Sequence, residues 1–260
     1  MHAAEREQLI LQLLEDRGFI GFQELDQKLD ASPATLRRDL ERLASNGQIV
    51  RVRGGARLAG GRASERQHLT GVPFHENIGR HAREKEAIGR MAASLCAPGE
   101  TVIIDGGSTT LRMCPHLEPL GLHVLTTSLH IVSALLPQPN TQISIPGGTV
   151  FREQNIVLSP FDDDGASRYR ASKMFLGSAA VGAHGLMQTD TLLIQAERRL
   201  LSRADQIILL VDSSKFEAPA GQVLCALSEI SILITDDGLP DRSAQDVERA
   251  GVKLIIAPRV

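Results

Sequence analysis

The stretch Thr101-Val102-Ile103-Ile104-Asp105-Gly106-Gly107-Ser108-Thr109-Thr110 decides the fold. Three consecutive β-branched apolar residues, Val102, Ile103 and Ile104, read as a buried strand. Asp105 ends it, and Gly106-Gly107 let the backbone turn sharply and approach a ligand. Ser108, Thr109 and Thr110 add hydroxyls, with Ser108 placed to cap a following helix. A strand, a glycine turn and a helix start make an anion cradle, because free N–H groups and the helix dipole converge there. An ordinary strand-to-helix turn has the same spacing, so the stretch alone leaves both readings open.

Downstream, strands and helices alternate. Strands are expected at 101–105, 123–126, 142–145, 173–181, 206–211, 230–234 and 253–257, with helices near 109–117, 129–136 and 191–203. This pattern implies an α/β domain with a mostly parallel sheet, whose ligands bind outside the strand C-termini. Asp105, Thr127, Gly147 and Asp212 each fall at such an end. Residues 150–171 read as irregular, and Asp162-Asp163-Asp164 within them as a solvated acidic loop. Upstream, 78–96 is expected to be helical, with Arg80, Arg83, Lys85 and Arg90 on solvated surface.

The first part of the chain reads differently. Leu9, Ile10, Leu13 and Leu14 form one stripe of a helix over 3–17. A short extended link at 19–22 and a second helix at 22–29 follow. Ser32 caps a third helix over 33–46, with Pro33 at its first position and Leu36, Leu40 and Leu43 facing inward. Three helices with a tight turn before the last form a helix-turn-helix, and the third helix is the one that enters a major groove. The alternation Ile49-Val50-Arg51-Val52-Arg53 before Gly54-Gly55 reads as a wing hairpin. From Pro33 to Arg57 the basic residues are Arg37, Arg38, Arg42, Arg51, Arg53 and Arg57, against Asp39 and Glu41 only, which gives phosphate affinity. Thr35, Arg37 and Arg38 are the candidates for the major groove. Arg51 and Arg53 are those for backbone or an adjacent minor groove.

Composition sets bounds. The 260 residues carry a formal net charge of −3 and 42% hydrophobic residues, so a basic module sits on a chain that is not basic throughout. With no Trp and one Tyr, stacking on single-stranded bases is excluded as the binding mode. Cys96, Cys114 and Cys225 are odd in number and lack metal-site spacing, which implies buried thiols in a reducing compartment. No signal-peptide core or membrane-length apolar run is present, so a cytoplasmic location is expected. Domain limits are placed at 1–57, with a polar, glycine-containing linker at 58–74 and the second domain at 75–260.

The sequence resembles the DeoR family of bacterial transcriptional regulators nearly end to end. The resemblance is carried by Glu5-Arg6, Glu24-Leu25, Ser32-Pro33-Ala34-Thr35-Leu36-Arg37-Arg38-Asp39-Leu40, Gly47-Gln48-Ile49-Val50-Arg51 and Gly54-Gly55-Ala56 in the first part. In the second part it is carried by Asp105 to Thr110, Pro146-Gly147-Gly148 and Asp212-Ser213-Ser214-Lys215-Phe216. Arg53 stands where many members have His, Thr127 where Asn is common, and Ser172 where Asp precedes Lys173. The wing change alters DNA preference; the other two lie near the expected pocket. The resemblance implies a sensor domain similar to ribose-5-phosphate isomerase. Ser108-Thr109-Thr110, Lys215 and Glu197 look like that enzyme's phosphate loop, supporting lysine and base. Gly177-Ser178-Ala179-Ala180 lies where the enzyme has Asp residues, so binding is kept and catalysis lost. Thr189-Asp190 resembles members acting on ascorbate-type sugar acids.

The expected protein is therefore a regulator with no catalytic residues, metal or cofactor, most simply a repressor of a carbohydrate catabolic operon. Its partners are double-stranded operator DNA and a phosphorylated sugar or sugar-acid effector, with no membrane role. Operator symmetry implies a homodimer or homotetramer. Ser32, Thr35, Arg37, Arg38, Arg51 and Arg53 would meet DNA. Asp105, Gly106, Gly107, Ser108, Thr109, Thr110, Thr127, Gly147, Gly148, Lys173, Glu197 and Lys215 would meet the effector. The alternatives are a phosphosugar isomerase-like enzyme fused to a DNA-binding module, and an activator.

Overall fold

A computed structural model describes residues 3–17, 19–29, 31–52, 55–58, 74–159, 165–218 and 221–258. The expectations for Gly18, Asp30, Arg53, Gly54, linker residues 59–73 and Asp162-Asp163-Asp164 lie outside these residues. The chain divides into two compact units, Met1–His68 and Leu69–Val260.

In the first unit, α1 (Ala3–Arg17), β1 (Phe19–Gly21), α2 (Phe22–Lys28) and α3 (Pro33–Ser45) precede a hairpin of β2 (Ile49–Val52) and β3 (Gly55–Leu58). The core is Ile10, Leu14, Ile20, Leu25, Leu29, Leu36, Leu40, Leu43, Ile49 and Ala56, while Leu9 faces out. Ser32 caps α3 through a bond from the Thr35 N–H at 3.2 Å. The extended link is a strand: β1 pairs antiparallel with β3, so the sheet runs β1-β3-β2. A buried ion pair joins α1 to α3, with Arg6 Nε donating to Asp39 Oδ2 at 2.8 Å.

The second unit opens with α4 (Phe74–Asn77), α5 (Ala82–Ala93), β4 (Thr101–Ile104), β5 (His123–Leu125), α6 (Leu129–Leu135) and β6 (Gln142–Ser144). Next come β7 (Thr149–Phe151), β8 (Ile156–Leu158), β9 (Ala171–Leu176), β10 (Ala180–Gly182) and β11 (Gly185–Gln188). The chain closes with α7 (Thr191–Leu201), β12 (Ala204–Leu210), β13 (Gln222–Cys225), β14 (Ile232–Thr235), α8 (Asp241–Arg249) and β15 (Lys253–Ile256). Seven of these strands form one sheet in the order β15-β14-β12-β9-β4-β5-β6, and every pairing in it is parallel. Side chains alternate between its two faces. Ile103, Met174, Leu176, Ile207, Leu209 and Leu233 pack into one core. Val102, Ile104, Phe175, Ile208, Leu210 and Ile234 pack into the other. Burial on both faces is why these strands read as unbroken apolar runs.

Five sequence expectations are corrected. The 150–171 stretch is not wholly irregular: β7 and β8 form an antiparallel hairpin within 149–158. The single strand at 173–181 is two, and the second, β10, belongs to an antiparallel sheet β10-β11-β13. The helix at 78–96 is shorter, because His81 takes a left-handed φ of 51° and α5 starts after it. The helix near 109–117 is a 3-10 segment, Thr110–His116, containing Pro115, whose missing N–H rules out an unbroken α-helix. Ser108 does not cap that segment, since its N-cap residue is Thr109, with no side-chain cap bond.

Gly89 of α5 lets this 3-10 segment come close: a Cβ there would lie 2.6 Å from the backbone carbon of Arg112. Because the clash is with backbone, Gly89→Ala should lower unfolding stability by about 1–3 kcal/mol, measured by urea denaturation. An unchanged midpoint would mean that this contact does not hold the 3-10 segment.

Candidate functional site

The parallel register sets the C-terminal ends of β4, β9 and β12 side by side. A cavity of about 540 Å³ lies at that edge, within the size range of small-molecule sites. Asp105, Gly106, Gly107, Ser108 and Thr109 line it from the turn after β4, Gly177, Ser178 and Ala179 from the end of β9, and Ser214 and Lys215 from the turn after β12. Gln188, Thr189, Leu193 and Glu197 add a wall from β11 and α7, and Phe74, Asn77 and Arg80 another from the start of the unit. Seven of the expected effector residues thus share one cavity: Asp105, Gly106, Gly107, Ser108, Thr109, Glu197 and Lys215.

The glycine turn is held from outside. A Cβ on Gly106 would meet Ile156 Cγ2 at 2.7 Å, so the β7–β8 hairpin presses on the turn. Gly107, Ser108 and Thr109 make no hydrogen bond through their N–H groups to any described residue.

Five expected residues are not among the cavity lining, each for a physical reason. Thr110 is fully buried, and its Oγ1 lies 2.7 Å from the Asp105 carbonyl oxygen and 2.9 Å from that of Gly107, tying the turn together. Thr127 is buried, its carbonyl accepting from Val157 N–H at 2.8 Å under the hairpin. Gly147 is exposed just before β7. Gly148 is needed for the hairpin itself, since a Cβ there would lie 2.4 Å from the Leu158 carbonyl oxygen. Lys173 precedes the C-terminal end of β9 by three residues, roughly 10 Å at strand rise. Its ammonium pairs with Glu100 just before β4. Ser172 also donates to Glu100, so this position too lies away from the cavity. Burial works to raise the Glu100 pKa, but bonds from Lys173, Ser172 and the Ala97 N–H hold it below the ordinary carboxylate value.

The cavity is lined by groups of both charges. Lys215 and Arg80 are its cationic lining residues. Asp105 and Glu197 are its acids, and both are almost fully buried. Burial raises Asp105 to about 6, partly offset by the backbone N–H groups of Gly106 and Gly177. Burial, reinforced by the Asp105 charge, pushes Glu197 well above the ordinary range, and bonds from Gln188 Nε2 at 2.9 and 3.0 Å pull it back in part. Glu197 is therefore held by Gln188, not by its helix neighbours: Arg198 donates to the Leu224 carbonyl and Arg199 to that of Ser159. A carboxylate does stand beside Glu197, but the turn after β4 supplies it as Asp105, not the 177–180 stretch.

Lys85 is no surface residue either. It is 1% exposed, and its Nζ donates to the Asn77 carbonyl at 2.7 Å. Arg112 reaches the Ile78 carbonyl at 3.2 Å, and the Phe74 ring stacks on His130 at 4.0 Å. These contacts pin the segment that brings Asn77 and Arg80 to the cavity. Asn77, Arg80 and Gln188 belong to no motif, and nothing in the sequence singles them out.

In the first unit, Arg37 and Arg38 are exposed on α3, with the Arg37 guanidinium 5.3 Å from the Phe22 ring centroid. The Ser32 and Thr35 hydroxyls bond each other at 2.8 Å. Arg51 pairs with Glu41 at 2.9 Å, and Arg42 is held by Asp39 and Glu7. The charge on this face is thus partly neutralised before any partner arrives.

Residues 6–60 match the DeoR-like helix-turn-helix domain and residues 80–237 the DeoR C terminal sensor domain. The chain belongs to the DeoR family. Among DeoR-family proteins it is 32% identical over 255 residues to the HTH-type transcriptional regulator UlaR of Shigella dysenteriae serotype 1 (strain Sd197), covering 98% of this chain and 99% of that protein. It is 31% identical, at the same coverage, to UlaR of Escherichia coli (strain K12 / DH10B). These relatives are regulators rather than enzymes, and the chain is a DeoR-type transcriptional regulator with a DNA-binding unit and a sensor unit. Among solved structures, ribose 5-phosphate isomerase A from Methanocaldococcus jannaschii is similar at 16% identity and a TM-score of 0.38, over 51% of this chain and 53% of that one. eIF2B delta from Chaetomium thermophilum is similar at 16% identity and 0.43, over 60% and 56%. At these scores neither protein's chemistry transfers. Among the described residues no group of His, Cys, Asp and Glu fits a metal ion, and no helix is long and apolar enough to cross a membrane. The three cysteines are free and buried.

Burial lowers the Lys85 pKa from 10.5 to about 8, with Asp212 acting to raise it and Lys215, Arg112 and Arg80 to lower it. Below pH 8 the amine is charged both folded and unfolded, and its desolvation weighs against the fold. From pH 8 to 10.5 the unfolded chain binds the proton longer, so this group's contribution to stability improves as pH rises. Urea midpoints of the parent minus those of Lys85→Met should therefore climb between pH 8 and 10. Parallel curves would mean the ammonium is solvated.

Proposed function

We propose that this regulator is a repressor of carbohydrate catabolic genes, released from its operator by a phosphorylated sugar or sugar acid. One observation carries the reading. The cavity joins two cations, Lys215 and Arg80, and a Gly-Ser-Thr turn with unspent N–H groups to a buried wall of Asp105, Gln188 and Glu197. Cations and open N–H groups suit a phosphate, and acids and amides suit sugar hydroxyls. The effector releases DNA by binding one conformational population more tightly than the other. Arg37, Arg38 and Thr35 read the operator from α3, Arg51 and Arg53 support from the wing, and Ser32 sets the N-terminal end of the reading helix. The regulator works in the cytoplasm as a homodimer or homotetramer on a palindromic site.

On a duplex selected by the parent protein from a random pool, Arg37→Ala combined with Arg38→Ala should weaken binding at least tenfold, measured by fluorescence anisotropy with the melting curve as a fold control. Undiminished affinity would remove α3 from the interface. In thermal-shift assays, phosphorylated sugars should raise Tm more than their unphosphorylated parents, and Lys215→Ala should reduce that gain. Equal shifts for phosphorylated and parent sugars would sink the phosphate reading.

A further inference from the structure

The two acids of the cavity pose a problem for any effector that carries a second negative group. Asp105, from the turn after β4, and Glu197, from α7, line the same cavity and are 4% and 2% exposed. Water therefore does little to screen them, and two like charges in one desolvated site resist ionising together. Gln188 Nε2 lies within hydrogen-bond distance of both Glu197 carboxyl oxygens. The amide only donates there, so it cannot accept a carboxyl proton, which is left to point at Asp105 or at a ligand oxygen.

We propose that Asp105, Gln188 and Glu197 form a hydroxyl-reading wall that selects a ligand with one phosphate and an uncharged polyol tail, and that admits a second acid group only together with a proton. The proposal rests on the sugar-phosphate reading of this cavity and names the ligand class more closely. A polyol hydroxyl donates to the Asp105 carboxylate and accepts from the carboxyl group of Glu197, whose burial beside Asp105 favours its proton-bearing form. A ligand carboxylate in the same place faces Asp105, and is tolerated once Asp105 takes a proton from solvent and becomes a donor. No bond other than this proton's is made or broken.

Lys215 and Arg80 are the cations on the cavity wall, with Lys85 and Asp212 near Lys215. Cys225 of β13 is near Glu197, and burial pushes its thiol to about 12, so it stays neutral across the working range. Asp105, at about 6, changes charge just below neutrality, and burial together with the Asp105 charge raises Glu197 well above the ordinary carboxylate range.

The test uses the full chain and matched ligand pairs: glucitol 6-phosphate against 6-phosphogluconate, ribitol 5-phosphate against ribonate 5-phosphate, and arabinitol 5-phosphate against arabinonate 5-phosphate. Calorimetric titrations at about pH 8 and about pH 6, in buffers of different ionisation heat, give affinity and protons taken up. The phosphate titrates alike within a pair, so its effect cancels from the ratio. At the higher pH the polyol phosphate should bind at least about tenfold tighter than its acid, and the gap should shrink about tenfold at the lower pH. The acid should bind with greater proton uptake than its polyol partner at the higher pH, and Asp105→Asn should abolish both the gap and the extra uptake. The wild-type measurements test the proposal by themselves if that variant fails to fold. If both members of a pair bind equally at the higher pH, or the gap survives Asp105→Asn, the proposal falls and the sugar-phosphate reading stands. If no member of any pair binds, both fall.

Discussion

Everything in the sensor unit depends on the parallel pairing of β9 with β4 on one side and β12 on the other. Parallel strands end on the same edge, so this pairing gathers three separate turns into one place. The Asp105 turn, the Gly177–Ala179 bend and the Ser214-Lys215 turn are far apart in sequence, yet they line one cavity. The interdigitated apolar cores on both faces hold the strands in that register, and a slip by one residue would exchange the faces of every side chain.

The sheet was legible because burial on both faces leaves a plain mark: runs such as Val102-Ile103-Ile104 and Ile207-Ile208-Leu209-Leu210. The β7–β8 hairpin and the β10-β11-β13 sheet were not, since their strands are three or four residues long and interrupted by glycines such as Gly148 and Gly185. The lining of the candidate cavity was legible where a residue ends a strand, as Asp105 does, or follows one closely, as Lys215 does. Lys173 pairs with Glu100 and is not among that lining, because a lysine within an apolar strand does not reveal which end it occupies. Thr110 was misread because a hydroxyl beside a glycine turn serves the turn as readily as a ligand. Arg80 and Lys85 looked like surface charge, and only the folded chain shows one lining the cavity and the other buried behind Asn77.

The DNA-binding unit shows a second partition that residue counts miss. Its arginines are divided between internal work and open surface. Arg6 and Arg42 both bond Asp39, so one carboxylate ties α1 to α3 while shielding part of the basic face. Arg37 and Arg38 remain exposed on α3. A formal excess of positive charge therefore overstates the cationic field of the surface, and position on α3 matters more than the total.

The strand order also has a consequence for how the protein is made. The first unit closes its core within a short span, through contacts between neighbouring helices and a tight hairpin. The sensor sheet cannot: β4 lies beside β9, whose first residue is Ala171, and the opposite edge is completed only by β15 near the end of the chain. Local contacts form quickly and long-range parallel ones slowly, and chains fold from the N-terminus as they leave the ribosome. Each newly synthesised molecule can thus close its helix-turn-helix core before the last strands of the sensor sheet have been made.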